Sequence, residues 1–252
     1  MEKGIKMGNS LEKIGNLRSS FGEKIKSKYN GTGELTQEKM LQTLDWAYGK
    51  TLSGMPGQKD IHELVDDYLA KYDKETAIKK LIAFQTAKSA TSGFITGFGG
   101  VITMPITIPA NIASVILVQM RMIAAIAVIR GYDLRSDQVQ TFVYATLAGT
   151  SVVEITKKTG VLIGNKMLFS AVSRVPGKTL TKINQAVGFR LVTKFGTKGA
   201  INLGKAVPVA GAFVGGAFDT VTTKTIAKLA QNTFKEVGID VGDGHILSKE
   251  NL

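Results

Sequence analysis

Residues 89–120 form a continuous stretch without one charged side chain, bounded by Lys88 and Arg121. About 20 apolar residues in a helix suffice to cross the hydrocarbon layer of a membrane, so this stretch is long enough to do so. However, its four glycines and two prolines would break a straight helix near its middle, and unpaired backbone groups are costly in lipid. We therefore expect a bent helical hairpin, either buried as core or inserted shallowly into a membrane.

Lysine and arginine are concentrated in the second half of the chain. The formal net charge is +12, and residues 155–218 contain ten Lys or Arg and no acid. Such a region favours an anionic partner, namely phospholipid headgroups, nucleic acid or an acidic protein. The alternative is a solvated surface that keeps the protein soluble. The candidate basic surface consists of Arg174, Lys178, Lys182, Arg190, Lys194, Lys198 and Lys205.

Apolar residues recur at helical spacing along most of the chain, and no period-2 alternation of five or more residues is present. The sequence therefore predicts an all-α, multi-helix bundle with a central apolar hairpin broken by Gly and Pro, and no appreciable β-sheet. Helices are expected at about residues 1–28, from Thr36 to the turn at Gly54, and at about residues 58–72, 74–92, 109–129, 137–149, 151–171, 179–195 and 209–236.

Charge and composition also suggest a division of the chain. Residues 1–75 are expected to form an N-terminal region, in which a basic helix precedes acidic amphipathic helices. Residues 76–238 would then form a helical core, and residues 239–252 a short C-terminal tail.

The residue inventory argues against several kinds of site. The chain has no Cys, and its two histidines are His62 and His245, so a thiolate site or a histidine-rich metal centre is not expected. Residues 199–205 match the GxxxxGK pattern of a phosphate-binding loop, but Ala206 replaces the Ser or Thr and no strand is expected before it. We predict no cofactor, no metal and no catalytic residue, and we lean against an enzyme.

Three polar residues lie in the apolar helix that follows the prolines: Asn111, Gln119 and Arg121. An ionised arginine is rarely buried without a partner, so Arg121 is expected to pair with Asp133 or Asp219 or to extend to the helix edge. The alternative is that the three helix residues, together with Asp133 and Asp219, form a site for a polar ligand or a lipid headgroup.

Several patterns in the chain resemble the EcsC family over about residues 80–237. The matching segments are Pro109-Ala-Asn111, Gln119-Met-Arg121-Met-Ile-Ala-Ala-Ile-Ala127, Gly131-Tyr-Asp133, Asp137, Lys182-Ile-Asn184, Val187-Gly-Phe-Arg190, Thr193-Lys-Phe-Gly196 and Gly204-Lys205-x-x-Pro208-x-x-Gly211-x-x-x-Gly215-Gly216-x-x-Asp219. Many relatives have Asp where Asn111 stands. The resemblance implies a bacterial, helical, non-secreted protein that works near a membrane, and it supplies no catalytic residue. The family takes its name from a protein encoded beside an ABC transporter.

Together these features predict a non-enzymatic helical protein that associates with an anionic membrane, or inserts shallowly into it, at the inner, cytoplasmic face. Anionic phospholipid is the expected partner, with an ABC transporter or another membrane protein as a further candidate. One alternative is a soluble cytoplasmic interaction protein whose apolar hairpin is buried as core. Less favoured alternatives are a nucleic-acid-binding protein and an uncharacterised enzyme, and the sequence gives no oligomeric state.

Overall fold

The structure, a computed structural model, describes residues 35–90, 108, 110–159, 177–195, 217–242, 244 and 246–252. Most of these residues are helical, which confirms the predicted all-α class. The elements are α1 (Gln37–Ser53), α2 (Ile61–Leu69), α3 (Lys74–Ala90), α4 (Ala110–Ile129), α5 (Asp137–Leu147), α6 (Val152–Thr159), α7 (Gly177–Phe195), α8 (Ala217–Thr233), β1 (Gly238–Asp240), β2 (Ile246–Ser248) and a final 3₁₀ turn (Lys249–Asn251). The helix expected over residues 1–28 and the bend expected before residue 108 lie outside the described residues.

Helix ends follow local capping chemistry. Thr36 is the N-cap of α1, as expected from its position before an apolar helical pattern. Of the two candidate caps before α5, Ser136 and Asp137, the structure has Ser136 as the N-cap. Asp60 caps α2, so that helix begins at Ile61 and not at the expected residue 58. After α4 the chain reverses at Gly131, whose φ of +82° lies in the left-handed region that favours glycine.

Helix α4 is the centre of the fold and contacts α1, α2, α3, α5 and α8. It is long and apolar enough to cross a membrane, with a mean hydropathy of 2.3 over Ile112–Ile129, but 89% of that stretch is buried inside the protein. Its side chains belong to one hydrophobic cluster that extends from Met40 on α1 to Leu247 on β2. Helices on both sides of residue 75 therefore share one core, and the described second half of the uncharged stretch lies within it.

Polar contacts fix the directions of three neighbouring helices. Glu75 near the start of α3 and Glu236 just after α8 both pair with Arg130 beyond the end of α4, at Nη1–Oε1 distances of 2.5 and 3.4 Å. Farther back along α4, Gln119 Nε2 lies 3.3 Å from Thr223 Oγ1 on α8. Helix α3 is therefore antiparallel to α4, whereas α8 runs parallel to α4. The C-terminal end of α3 and the N-terminal ends of α4 and α8 lie at the same end of the bundle.

The residues after α8 form a small antiparallel hairpin, in which Gly238 pairs with Ser248 and Asp240 pairs with Ile246. Its small size agrees with the prediction of no appreciable β-sheet. The sequence did not indicate its position, because a strand of three residues is too short to show an alternating pattern. Gly238 has a φ of +153°, and an added Cβ would lie 2.2 Å from the carbonyl oxygen of Leu247. The close approach of the two strands therefore depends on glycine at this position.

Candidate functional site

Gln119 lies on the side of α4 that faces α8, with 1% of its surface exposed. Its Nε2 donates hydrogen bonds to Thr223 Oγ1 at 3.3 Å and to Thr222 Oγ1 at 3.5 Å. Its amide oxygen is buried and has no hydrogen-bond partner. The side chain therefore links two helices of the core.

Arg121 is the one charged residue of α4 and is 5% exposed. Its Nη2 donates a hydrogen bond of 2.7 Å to the carbonyl oxygen of Lys59, in the loop before α2, whereas its Nη1 is buried without a partner. Burial lowers the pKa of Arg121, and the carboxylate of Asp60 acts in the opposite direction. Burial also lowers the pKa of Lys88 on α3, and the charge of Arg121 adds to that lowering. Arg121 is thus a buried cation that is hydrogen-bonded to a backbone carbonyl oxygen.

The other predicted site residues are not beside Arg121. Asp133 lies in the exposed loop between α4 and α5, where its carboxylate accepts a hydrogen bond of 2.8 Å from a backbone N–H of the same loop. The side chains of Asn111 and Asp219 lie outside the described residues. Because Gln119 and Arg121 contact different neighbours and Asp133 lies elsewhere, these three described candidates do not form one pocket.

The basic helix α7 presents part of its charge to solvent. Lys178 and Lys182 are exposed, and within the described residues neither makes an ion pair. Phe189, on the same side of the helix, is 64% exposed. The remaining members of the predicted basic surface that lie outside the described residues are Arg174, Lys198 and Lys205.

Two other basic residues of α7 are directed at the C-terminal end of α5. Arg190 Nε donates a hydrogen bond of 3.2 Å to the carbonyl oxygen of Ala148, and Lys194 Nζ donates one of 3.1 Å to the carbonyl oxygen of Leu147. Carbonyl groups at a helix C-terminus lack helical partners and carry partial negative charge, so these cations stabilise the end of α5. Burial, with a smaller effect from Arg190, lowers the pKa of Lys194 to about 8.

A second basic surface, which sequence patterns did not reveal, lies on α3 and α8. These two helices pack against each other, and the exposed residues of each follow one side of the helix. Neither residues 76–90 nor residues 220–235 contain an acid. We call this surface the α3–α8 face. Its exposed basic and large apolar residues are Lys79, Lys80, Phe84, Val221, Lys224 and Lys228.

Both uncharged stretches of the sequence join the described helices at one end of the bundle. Helix α3 ends at Ala90, where the stretch 89–120 begins, and α4 starts within that stretch. Helix α8 begins at Ala217, where a second uncharged stretch, residues 206–218, closes. Because α3 is antiparallel to α4 and α8, these three helix ends lie side by side, and we call this part of the bundle the apolar end.

An open cleft of about 170 Å³ lies near the hairpin. Among its described lining residues, Asp240 is the one carboxylate, and that group already accepts hydrogen bonds from Lys235 Nζ at 2.8 Å and from the N–H of Gly242 at 2.9 Å. The lining residues are Ser151, Leu229, Asn232, Thr233, Asp240, Gly242 and Gly244. Within the part of the chain that the structure describes, no group of three His, Asp or Glu residues is placed to hold a metal ion.

Comparison with known proteins identified a family: the model of the EcsC protein family matches residues 12–236. The match therefore takes in α1 and α2 as well as the region where family patterns are visible by eye, which agrees with the shared core. No curated protein and no solved structure matches the chain.

Proposed function

The chain belongs to the EcsC protein family, and from this premise we propose that it is a non-enzymatic helical protein that attaches peripherally to an anionic membrane. The attachment uses the α3–α8 face together with the apolar end of the bundle. The proposed location is the cytoplasmic, inner face of the cell membrane. The ligand is anionic phospholipid, and a membrane protein such as an ABC transporter is a further candidate partner.

The observation that carries this proposal is the position of the apolar end beside the α3–α8 face. Phe84, which is 52% exposed, lies on α3 six residues before that helix ends, and Val221, which is 65% exposed, lies in the second turn of α8. Lys88 Nζ lies 5.8 Å from the centre of the Phe84 ring. Apolar side chains next to lysines suit the membrane interface, where rings enter the acyl boundary and ammonium groups remain among the headgroups.

The α3–α8 face is a better membrane contact than the exposed side of α7. Its four exposed lysines would contribute about 1 kcal/mol each at an anionic surface. Burying the exposed half of Phe84 would add about 1 kcal/mol, since full burial of such a side chain contributes about 1.5–3 kcal/mol. Helix α7 offers two exposed lysines and Phe189, because Arg190 and Lys194 are directed at α5. We therefore assign the membrane contact to α3 and α8.

Co-sedimentation with lipid vesicles tests the proposal. Purified protein should pellet with vesicles that contain phosphatidylglycerol at low salt, and the bound fraction should fall as salt is raised because exposed charges are screened. Vesicles of phosphatidylcholine alone are the control and should bind little protein. Protein that stays in the supernatant with phosphatidylglycerol vesicles at low salt would disprove the proposal.

A soluble interaction protein is the second candidate function. It is favoured by the burial of Ile112–Ile129, since a helix that is 89% enclosed by its own protein has little surface left for lipid. Cell fractionation at physiological salt separates the two candidates. Recovery in the soluble fraction supports the interaction protein, whereas recovery with membranes supports the peripheral membrane protein.

A further inference from the structure

Helix α2 presents an acidic side to solvent. Glu63 and Asp66 are exposed, and within the described residues neither forms an ion pair. Asp67, on the same side, is paired with Lys59 at 2.6 Å, and both of these side chains are about half exposed. Leu69, at the end of the helix, is 38% exposed. In a chain with a net charge of +12, this acidic side of α2 therefore combines unpaired acids with an apolar side chain.

The exposed side of α7 has the opposite charge. Lys178 and Lys182 are exposed without an ion pair within the described residues, and Phe189 is 64% exposed. At about 100° per residue, these three positions lie within about 40° of one another around the helix, so they form one stripe. The membrane proposal does not use this stripe, because the α3–α8 face supplies the membrane contact. The basic stripe of α7 is therefore available to another partner.

The acidic side of α2 and the basic stripe of α7 match in spacing as well as in charge. Phe189 follows Lys182 by seven residues, about 10.5 Å along a helix, and Leu69 follows Glu63 by six residues, about 9 Å. If the two helices align in parallel with Leu69 against Phe189, Glu63 lies opposite Lys182. Within one molecule, α2 packs against α1, α3 and α4, whereas α7 packs against α1, α5 and α6. Because both surfaces are exposed in the folded chain, they meet between two molecules.

We propose that the acidic side of α2 docks on the basic stripe of α7 in a second copy of this chain. Because the two surfaces differ, the contact is head-to-tail, and each molecule binds one neighbour through α2 and another through α7. A helix of nine residues is about 14 Å long, so the interface is smaller than that of a stable dimer and the association is weak. The α3–α8 face takes no part in this contact, so the inference is independent of the proposed membrane attachment.

Sedimentation velocity of the full chain, from micromolar to millimolar concentration at low salt, tests the proposal. The wild-type protein should form dimers and larger species as its concentration rises, and added salt should weaken them because exposed charges are screened. Two double variants, Glu63→Lys with Asp66→Lys and Lys178→Glu with Lys182→Glu, should each weaken self-association at least about tenfold, since like charges then face each other. All four positions are exposed, so the core is left intact. A wild-type protein that stays monomeric at every concentration would overturn the proposal.

A mixture of the two double variants separates this contact from general effects of charge. The reversed, basic α2 of one variant is complementary to the reversed, acidic α7 of the other, and their unchanged surfaces are also complementary. An equimolar mixture should therefore associate as strongly as the wild-type protein, although neither variant does so alone. A mixture that stays as weakly associated as its components, while both variants keep the circular dichroism spectrum of the wild type, would overturn the pairing of α2 with α7.

The matched control is Lys224→Glu with Lys228→Glu, which makes the same change in net charge at two exposed positions of α8. It should leave self-association unchanged and weaken binding to anionic vesicles, so the two proposals are tested separately. A loss of self-association in this variant equal to that in the α7 variant would overturn the assignment to α7. Failure of the wild-type protein to bind vesicles would refute the membrane proposal and leave the test of self-association as it stands.

Discussion

Replacement of Arg190 by Gln should destabilise the protein by about 2 kcal/mol. The guanidinium makes three contacts: Nε to the carbonyl oxygen of Ala148 at 3.2 Å, Nη2 to that of Gly149 at 3.4 Å, and Nη1 to Glu154 Oε1 at 3.4 Å. Hydrogen bonds to a charged group contribute about 1.5–3 kcal/mol when short, and these are long. The ion pair is partly exposed, at 35% and 43%, so it adds at most about 1 kcal/mol.

The assay is equilibrium unfolding in urea followed by far-ultraviolet circular dichroism, with Lys182→Gln as the matched control. Lys182 is on the same helix but exposed, so its replacement should change the free energy of unfolding by less than about 0.5 kcal/mol. In thermal unfolding, Arg190→Gln should lower the midpoint by about 4–8 °C. Equal effects of the two substitutions would refute the reasoning, because the contacts of Arg190 with the end of α5 would then contribute nothing measurable to stability.

Three further predictions concern stability. Gly49→Ala should raise the free energy of unfolding by up to about 1 kcal/mol, because this helical glycine has open space around it. Gly188→Ala should give a smaller gain or a loss, because the new Cβ would lie 3.0 Å from the side chain of Leu41. Urea unfolding of both variants measures the difference. The folded state lowers the pKa of Lys194 to about 8, so the folded protein binds fewer protons than the unfolded chain above that pH, and stability should rise from pH 8 to pH 10 in the wild type and less in Lys194→Met. Arg130→Gln removes ion pairs with Glu75 and Glu236, of which Glu236 keeps its pair with Lys74. It should lower the thermal midpoint by several degrees, measured by calorimetry.

The helical elements were largely predictable because their signals are local. Thr36 and Ser136 are capping residues placed before apolar helical patterns, and the structure has them as N-caps. The cap at Asp60 also has a local signal that the sequence interpretation did not use, since Asp60 directly precedes the apolar pattern of α2 and Glu63 follows three residues later. The short hairpin at β1 and β2 was missed because three residues give no measurable alternation.

The surroundings of Arg121 were not predictable because they depend on contacts between distant parts of the chain. The expectation was a pair with Asp133 or Asp219 or an extension to the helix edge. Asp133 lies in the loop after α4, the side chain of Asp219 lies outside the described residues, and the partner that the structure shows is the carbonyl oxygen of Lys59, 62 residues away. A backbone carbonyl leaves no trace in the sequence, since every residue has one.

The distribution of basic residues shows the same limit. Spacing on α7 could not separate Lys178 and Lys182, which are exposed, from Arg190 and Lys194, which are directed at α5. The α3–α8 face likewise arises when two helices about 140 residues apart in the sequence pack together. Neither helix alone is basic enough for its sequence to indicate a basic surface.

The most direct test of the membrane proposal compares two double charge reversals in the vesicle assay. The first variant combines Lys224→Glu with Lys228→Glu and alters the α3–α8 face. The second combines Lys178→Glu with Lys182→Glu and makes the same change in charge on α7. All four lysines are exposed. Since each lysine near an anionic surface contributes about 1 kcal/mol, the α8 pair should weaken binding to phosphatidylglycerol vesicles at least about tenfold. The α7 pair should have a much smaller effect. An equal or larger loss in the α7 pair, or no loss in either, would contradict the assignment of the α3–α8 face as the membrane contact.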